Sequence, residues 1–268
     1  MVSDSCKKRF GKIMMEEMEL VAQEEIAPRI YSMILKGEMV AQMLPGQFLH
    51  IRVPDGAKLL RRPISISEID PETQTCRLIY RIEGGGTAIF SQLPIGSKLS
   101  VMGPQGNGFD LTNLGQGQKA LIIGGGIGVP PLVQVAKQLH EQGVDVEVVV
   151  GFATKEAVIL EEELSQLAHV TVTTDDGTYG TKGYVSTVID QMDQEFDAIY
   201  SCGAPGMLKY VNTKFHDHPR AYISMESRMA CGMGACYACV VHLENESQAA
   251  NKRVCEDGPV FETGTIVM

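Results

Sequence analysis

Residues 120–143 read ALIIGGGIGVPPLVQVAKQLHEQG, and this stretch decides the kind of fold. Ala120–Ile123 is a short apolar run, the form taken by a strand covered on both faces. It runs into the glycine loop Gly124-Gly125-Gly126-Ile127-Gly128. The apolar positions that follow recur at helical spacing, with Pro130 and Pro131 in the first turn, where proline's fixed φ and missing N–H do no harm. The alternation then repeats. VDVEVVVGF reads as a second strand, EAVILEEELSQLA as a second helix, HVTVTTDD as a third strand, and FDAIYSCGAP as a strand ending in another glycine turn. Strands alternating with helices of this length predict βαβ units and a parallel sheet, here over residues 117–220.

Working outward, residues 12–112 have a different texture. IYSMIL, QFLHIRV, RRPISISEID and CRLIYRIEGGG are short apolar groups separated by turn signals at Leu44-Pro45-Gly46 and Asp70-Pro71-Glu72. They predict an antiparallel barrel or sandwich. Residues 221–268 form a third segment, rich in cysteine and too short for an ordinary domain.

Composition narrows the function classes. The chain has 268 residues, 44% hydrophobic and 21% charged, and no apolar run of membrane-spanning length. A net charge of −10, with no basic run, argues against nucleic acid, whose phosphates demand clustered Lys and Arg. The opening MVSDSCKKRFGKIMMEEMEL lacks the apolar core of a secretory signal, so a cytoplasmic location is expected and no membrane partner. Seven cysteines in such a chain point to metal ligation or free thiols rather than to disulfides.

Three constellations carry chemistry. The glycine loop, backed by a helix N-terminus, lets a phosphate approach free N–H groups. Its glycine order is not G-x-G-x-x-G, no acidic residue ends the second strand, and a ligand-free βα turn stays open. The turn Cys202-Gly203-Ala204-Pro205-Gly206 falls on the same carboxyl edge of the sheet, and two such loops favour a nucleotide. In Arg61-Arg62-Pro63-Ile64-Ser65, Arg62 is placed to clamp a phosphate while Pro63 and Ser65 face a planar ligand. An exposed basic pair on a strand is the plainer alternative.

The third is MACGMGACYACVVH, residues 229–242. Cys231, Cys236 and Cys239 are spaced C-x4-C-x2-C, and Cys255 follows after fifteen residues, the plant-type spacing of a [2Fe–2S] cluster. The interleaved Gly and Ala remove bulk so that the loop can wrap a cluster and aim N–H groups at sulfur. Zinc and an unliganded turn are the competing readings. Cys6, Cys76 and the His216/His218 pair show no such pattern.

In this order the RRPISI strand, the GGGIG-VPPL loop, the CGAPGML turn and the four-cysteine loop resemble the ferredoxin reductase superfamily. ESRMACGMGACYACV with RVCEDGPVF is most similar to the electron-transfer subunits of B-type, NAD-dependent dihydroorotate dehydrogenases. The resemblance implies an FAD-binding β-barrel, an NAD-binding α/β domain and a C-terminal [2Fe–2S] segment. It implies FAD contacts at Arg62, Pro63, Ile64, Ser65, Ile79, Tyr80, Arg81, Gly86 and Thr87, and cluster ligands at Cys231, Cys236, Cys239 and Cys255. NAD would dock along Gly124 and Gly126 and near Cys202. The implied partner is a flavin-bearing dihydroorotate dehydrogenase catalytic subunit, two copies of each making a heterotetramer in pyrimidine biosynthesis. Its rivals are another flavin iron–sulfur NAD(P)H reductase subunit and a zinc-stabilised nucleotide-binding module.

Overall fold

A computed structural model describes residues 13–193, 195–244 and 250–268. Fourteen residues, Met14–Ala27, form β1. It pairs with β2 (Ile30–Lys36) and, on its other side, with β6 (Lys98–Gln105). Between these lie β3 (Phe48–Ile51), β4 (Arg62–Asp70) and β5 (Thr75–Arg81), with the short helix α1 (Gly85–Phe90) after β5. The order β1-β2-β5-β4-β3-β6 closes into a barrel with every neighbour antiparallel, so no edge is left open. Its core holds Met18, Leu20, Met33, Leu35, Leu49, Ile51, Ile66, Leu78, Leu99 and Val101, mostly at alternate positions, as the period of two requires. In acidic β1, Glu16 accepts hydrogen bonds from the backbone N–H groups of Glu38 (2.6 Å) and Met39 (2.9 Å).

The second layer starts with β7 (Lys119–Gly125), α2 (Pro130–Glu141), β8 (Asp145–Phe152), α3 (Glu161–Ser165), β9 (His169–Thr174) and β10 (Thr181–Lys182). It continues with α4 (Val185–Ile189), β11 (Ala198–Cys202), α5 (Pro205–Lys214), β12 (Ala221–Ser224), β13 (Val240–His242), β14 (Asn251–Arg253) and β15 (Val260–Glu262). The sheet order is β10-β9-β8-β7-β11-β12-β15, parallel except for the last pair. The chain moves outward from β7 to β10 and then returns to its other side at β11. The carboxyl ends of β7 and β11 therefore flank the topological switch point, the crevice where open α/β sheets bind ligands.

Three local findings differ from the sequence reading. The helix expected over EAVILEEELSQLA is only α3, because Leu160 takes φ 65° and breaks the turn before it. The segment 221–268 does not stand apart, since β12 and β15 complete the sheet and a division at residue 220 would cut it. And α1 and α4 are too short to leave a periodic signal.

Barrel and sheet share packing. The Ile69 N–H donates to buried Gln134 Oε1 on α2 at 2.8 Å, and Arg77 pairs with Glu163 of α3 at 2.6 Å. Ile30 and Ile79 of the barrel join the core of β7, β8 and α2. Among the described residues no helix is long and apolar enough to cross a membrane.

Candidate functional site

A cleft of about 310 Å³ runs between the barrel and the C-terminal segment. One wall is β4, β5 and α1, and all nine positions Arg62, Pro63, Ile64, Ser65, Ile79, Tyr80, Arg81, Gly86 and Thr87 line it. The facing wall comes from far along the chain: Ile127 of the glycine loop, then Met225, Glu226, Ser227, Met229 and Pro259.

The two arginines of the basic pair divide their work. Arg61 Nη1 donates to the carbonyls of Ser100 (2.7 Å) and His50 (3.2 Å), tying β3 to β6, so its charge is spent inside the barrel wall. Arg62 instead lies over Gly86, where an added Cβ would stand 2.6 Å from its Nε, and its Nη1 donates to the Leu60 carbonyl at 2.5 Å. Gly86 is thus needed to seat the guanidinium, and Gly84 beside it leaves open space in the cleft. Arg81 donates through Nε to Glu83 at 2.9 Å. Tyr80 turns its hydroxyl away, donating to Gln23 at 3.0 Å, and burial pushes that hydroxyl's pKa up. The carboxyl of Glu226 is also held up, first by desolvation and then by Glu83, against the pull of Arg81. Two cationic side chains, a planar apolar wall and glycines that leave room fit a flavin dinucleotide. Arg62→Ala should lower FAD retention about tenfold or more, the worth of a charge-assisted hydrogen bond, while iron content stays unchanged. Equal retention of FAD would remove Arg62 from the phosphate role.

The cysteine loop is built by a hairpin and by glycines. β13 and β14 pair Val240 with Arg253, and the Val254 N–H donates to the Cys239 carbonyl at 2.8 Å, which sets buried Cys239 beside buried Cys255. Gly232 (φ 69°) and Gly234 (φ 76°) turn the chain so that N–H groups face sulfur. Met233 donates to Cys231 Sγ at 3.4 Å and Gly234 to Cys255 Sγ at 3.2 Å. Burial raises the Cys231 thiol, but the N–H groups of Met233, Cys236 and Ala235 and the Cys236 side chain outweigh it and bring it down to about 7. Burial and the neighbouring Cys239 push Cys255 up to about 12. The thiols therefore contact one another as two pairs, Cys231 with Cys236 and Cys239 with Cys255. Among the described residues no three His, Cys, Asp or Glu side chains gather as a mononuclear metal would need. Two thiol pairs, with N–H groups already aimed at sulfur, suit a binuclear cluster with two thiolates to each iron. Arg253 braces the loop, donating to the Gly234 carbonyl at 2.9 Å, pairing with Glu256 at 2.7 Å and Asp257 at 3.0 Å, and lying over the Tyr237 ring.

At the switch point, Gly124 pairs with Cys202 across β7 and β11. Gly124 packs under Val129 and Leu132, and Cys202 is buried with its thiol pushed up by desolvation, so neither presents a side chain to a ligand. Gly126, at φ 53°, has nothing within 4 Å of where a Cβ would be. It is the open position of the loop. Ile127, next to it, reaches the flavin cleft.

The remaining sequence candidates are brought to no common site. Cys76 is buried in the barrel, its thiol raised to about 12 by desolvation, and Cys6 lies outside the described residues. His218 serves backbone groups at Phe196 and Arg220, while His216 contacts Asp217. Sequence reasoning missed the facing wall, Met225, Glu226 and Met229, and also the buried pair His50 and Gln105 behind the cysteine loop.

Three family models match in succession. An oxidoreductase FAD-binding domain covers residues 17–109, an oxidoreductase NAD-binding domain 122–213, and the iron–sulfur cluster binding domain of dihydroorotate dehydrogenase B 226–267. The chain is 68% identical over 256 residues to the dihydroorotate dehydrogenase B (NAD(+)) electron transfer subunit of Streptococcus mutans, covering 96% of this chain and 99% of that one. It is 49% identical to the subunit of the same name from Geobacillus thermodenitrificans, covering 94% and 98%. Among solved structures, that of an NADH-dependent reduced ferredoxin-NADP oxidoreductase superposes with a TM-score of 0.82 at 28% identity, over 94% of this chain and 90% of that one.

Proposed function

Because this chain belongs to the electron-transfer subunits of NAD-dependent dihydroorotate dehydrogenase B, we propose that its barrel cleft seats FAD, its four-cysteine loop a [2Fe–2S] cluster and its switch-point loops NAD+. The chain is the electron-transfer subunit of an oxidoreductase complex and works with a catalytic dihydroorotate dehydrogenase subunit. NAD exchanges a hydride, a flavin can hold two electrons and release them singly, and an iron–sulfur cluster carries one at a time.

What this chain's residues contribute is placement. Arg62, seated on Gly86, holds the anionic end of the flavin nucleotide, and Ser65 with the β4 backbone faces its ring. Gly126 admits the nicotinamide nucleotide at the sheet edge, and Ile127 delimits the cleft that nucleotide must meet. Cys231, Cys236, Cys239 and Cys255 ligate the cluster. Cys236 is exposed, with exposed Met233 and Tyr237 beside it, and this low rim is where the catalytic subunit comes close. The assembly is a heterotetramer of two copies of each subunit, in the cytoplasm, and electrons flow from dihydroorotate to NAD+.

One observation carries the reading. The segment that begins the cysteine loop, Met225 to Met229, is itself a wall of the cleft lined by the flavin positions, so the two cofactor sites adjoin. The test is co-purification with the catalytic subunit, with absorption spectra and a dihydroorotate-dependent NAD+ reduction assay. Flavin and iron–sulfur bands with turnover that requires both subunits are expected. A colourless zinc protein, or NADH-driven ferredoxin reduction with no response to dihydroorotate, would overturn it.

A further inference from the structure

Behind the cysteine loop, His50 and Gln105 are buried at 0% and 1% exposure, and all four of their side-chain polar atoms lack a hydrogen-bond partner. Each such atom costs about 1–3 kcal/mol if nothing ever meets it. An apolar pair at these two positions would avoid that cost. The two side chains come from neighbouring strands, β3 and β6, in which Phe48 pairs with Gln105 and His50 with Met102.

They converge on one residue of the loop. A Cβ on Gly232 would run into His50 Nδ1 and would stand 2.9 Å from Gln105 Oε1. Gly232 directly follows Cys231, so imidazole and carboxamide both face the chain that carries a cluster ligand. The end of β6 is pinned there, since the Asn107 N–H donates to the Gly258 carbonyl at 2.6 Å and Asn107 Nδ2 to Asp257 at 3.0 Å. Burial, with Arg61 and Arg62 nearby, keeps the imidazole neutral, with one N–H to give and one lone pair. β3 also places Phe48 in the flavin cleft, two residues from His50.

We propose that His50 and Gln105 are positioning residues of the iron–sulfur site, giving N–H groups to sulfur beside Gly232 and so raising the cluster's reduction potential. A donor to thiolate or sulfide favours the reduced, more negative cluster, and hydrogen bonds to sulfur are among the features that set such potentials. This rests on the cluster reading above.

The experiment uses the complete chain with its catalytic subunit. Iron and sulfide are assayed first, and the cluster is then titrated under electron paramagnetic resonance. His50→Leu and Gln105→Leu should retain iron, show altered g values, and be about tenfold less reduced at the wild-type midpoint, a lowering of about 59 mV for a one-electron couple. The FAD midpoint should not move. His50→Asn, which restores an N–H near the Nδ1 position, should return the potential most of the way. Unchanged g values and midpoint in iron-replete Leu variants would overturn the proposal. If Leu at position 50 strips the iron, Gln105→Leu decides alone, and a wild-type potential there would overturn it as well. A wild-type chain without iron would instead overturn the cluster reading itself, and this proposal with it.

Discussion

Cys239→Ser should keep FAD, lose the cluster, and lower dihydroorotate-dependent NAD+ reduction at least about 100-fold. Cys239 is buried against Cys255 on the hairpin that ends the loop, and a serine hydroxyl there is a poor substitute for a soft thiolate. The loss corresponds to about 2.7 kcal/mol of barrier or more, as expected when the route between two subunits is cut. The flavin wall of β4, β5 and α1 and the switch-point loops lie in other parts of the chain. NADH oxidation by an artificial acceptor that takes electrons from the flavin should therefore survive. Iron analysis, the flavin spectrum and the two assays side by side check this. Retained iron, or equal loss of both activities, would show that Cys239 is not a ligand or that the two sites are not separable.

Gly128→Ala should be the most damaging single methyl in the nucleotide-binding layer. A Cβ there would sit 2.6 Å from the backbone of Cys202 and from Gly203 Cα, and neither can swing aside as a side chain would. The loops after β7 and β11 must move apart, costing about 1–3 kcal/mol as overpacking does. The KM for NAD+ should rise about tenfold or more as the two loops lose their register. Gly126→Ala is the informative contrast. Its Cβ meets nothing, so only the φ of 53° costs, about 1 kcal/mol, and a raised KM with a near-normal melting temperature would mark Gly126 as the face the nucleotide touches. If Gly126→Ala leaves the KM unchanged, the nucleotide does not approach that loop.

How much of this was legible follows from how local each cause is. GGGIGVPPL announces a strand, a turn and a helix within a dozen residues, and β7 and α2 form there because apolar run, glycine and proline act at short range. The same holds for the cysteine spacing, where ligation is a property of the loop itself. The break at Leu160 was hidden, because a leucine in the left-handed region is held there by burial and not by its own preference. The strand β1 was partly hidden too. Its glutamates look like a solvated charge run, yet Glu16 is occupied by backbone N–H groups from the turn after β2. Met225, Glu226 and Met229 face the flavin wall only once the sheet docks on the barrel, and no local pattern encodes that docking. His50 left one faint sign, a polar residue in the run FLHI, all four of which are buried. Chain periodicity places such a residue inside but does not say what it meets.

The cysteine loop leaves the sheet at the end of β12 and returns to it at β15, and those two strands lie side by side in register. The ends of the loop are thus fastened by backbone ladders independent of any metal, and the cost of bringing them together is met by the sheet. This sets an order of manufacture. The polypeptide can finish both layers first and receive iron and sulfide afterwards, into an open purse whose drawstring is already tied. Delivery machinery would then need to reach only the exposed side, at Cys236. The catalytic subunit, which we place on that same side, would have to join last.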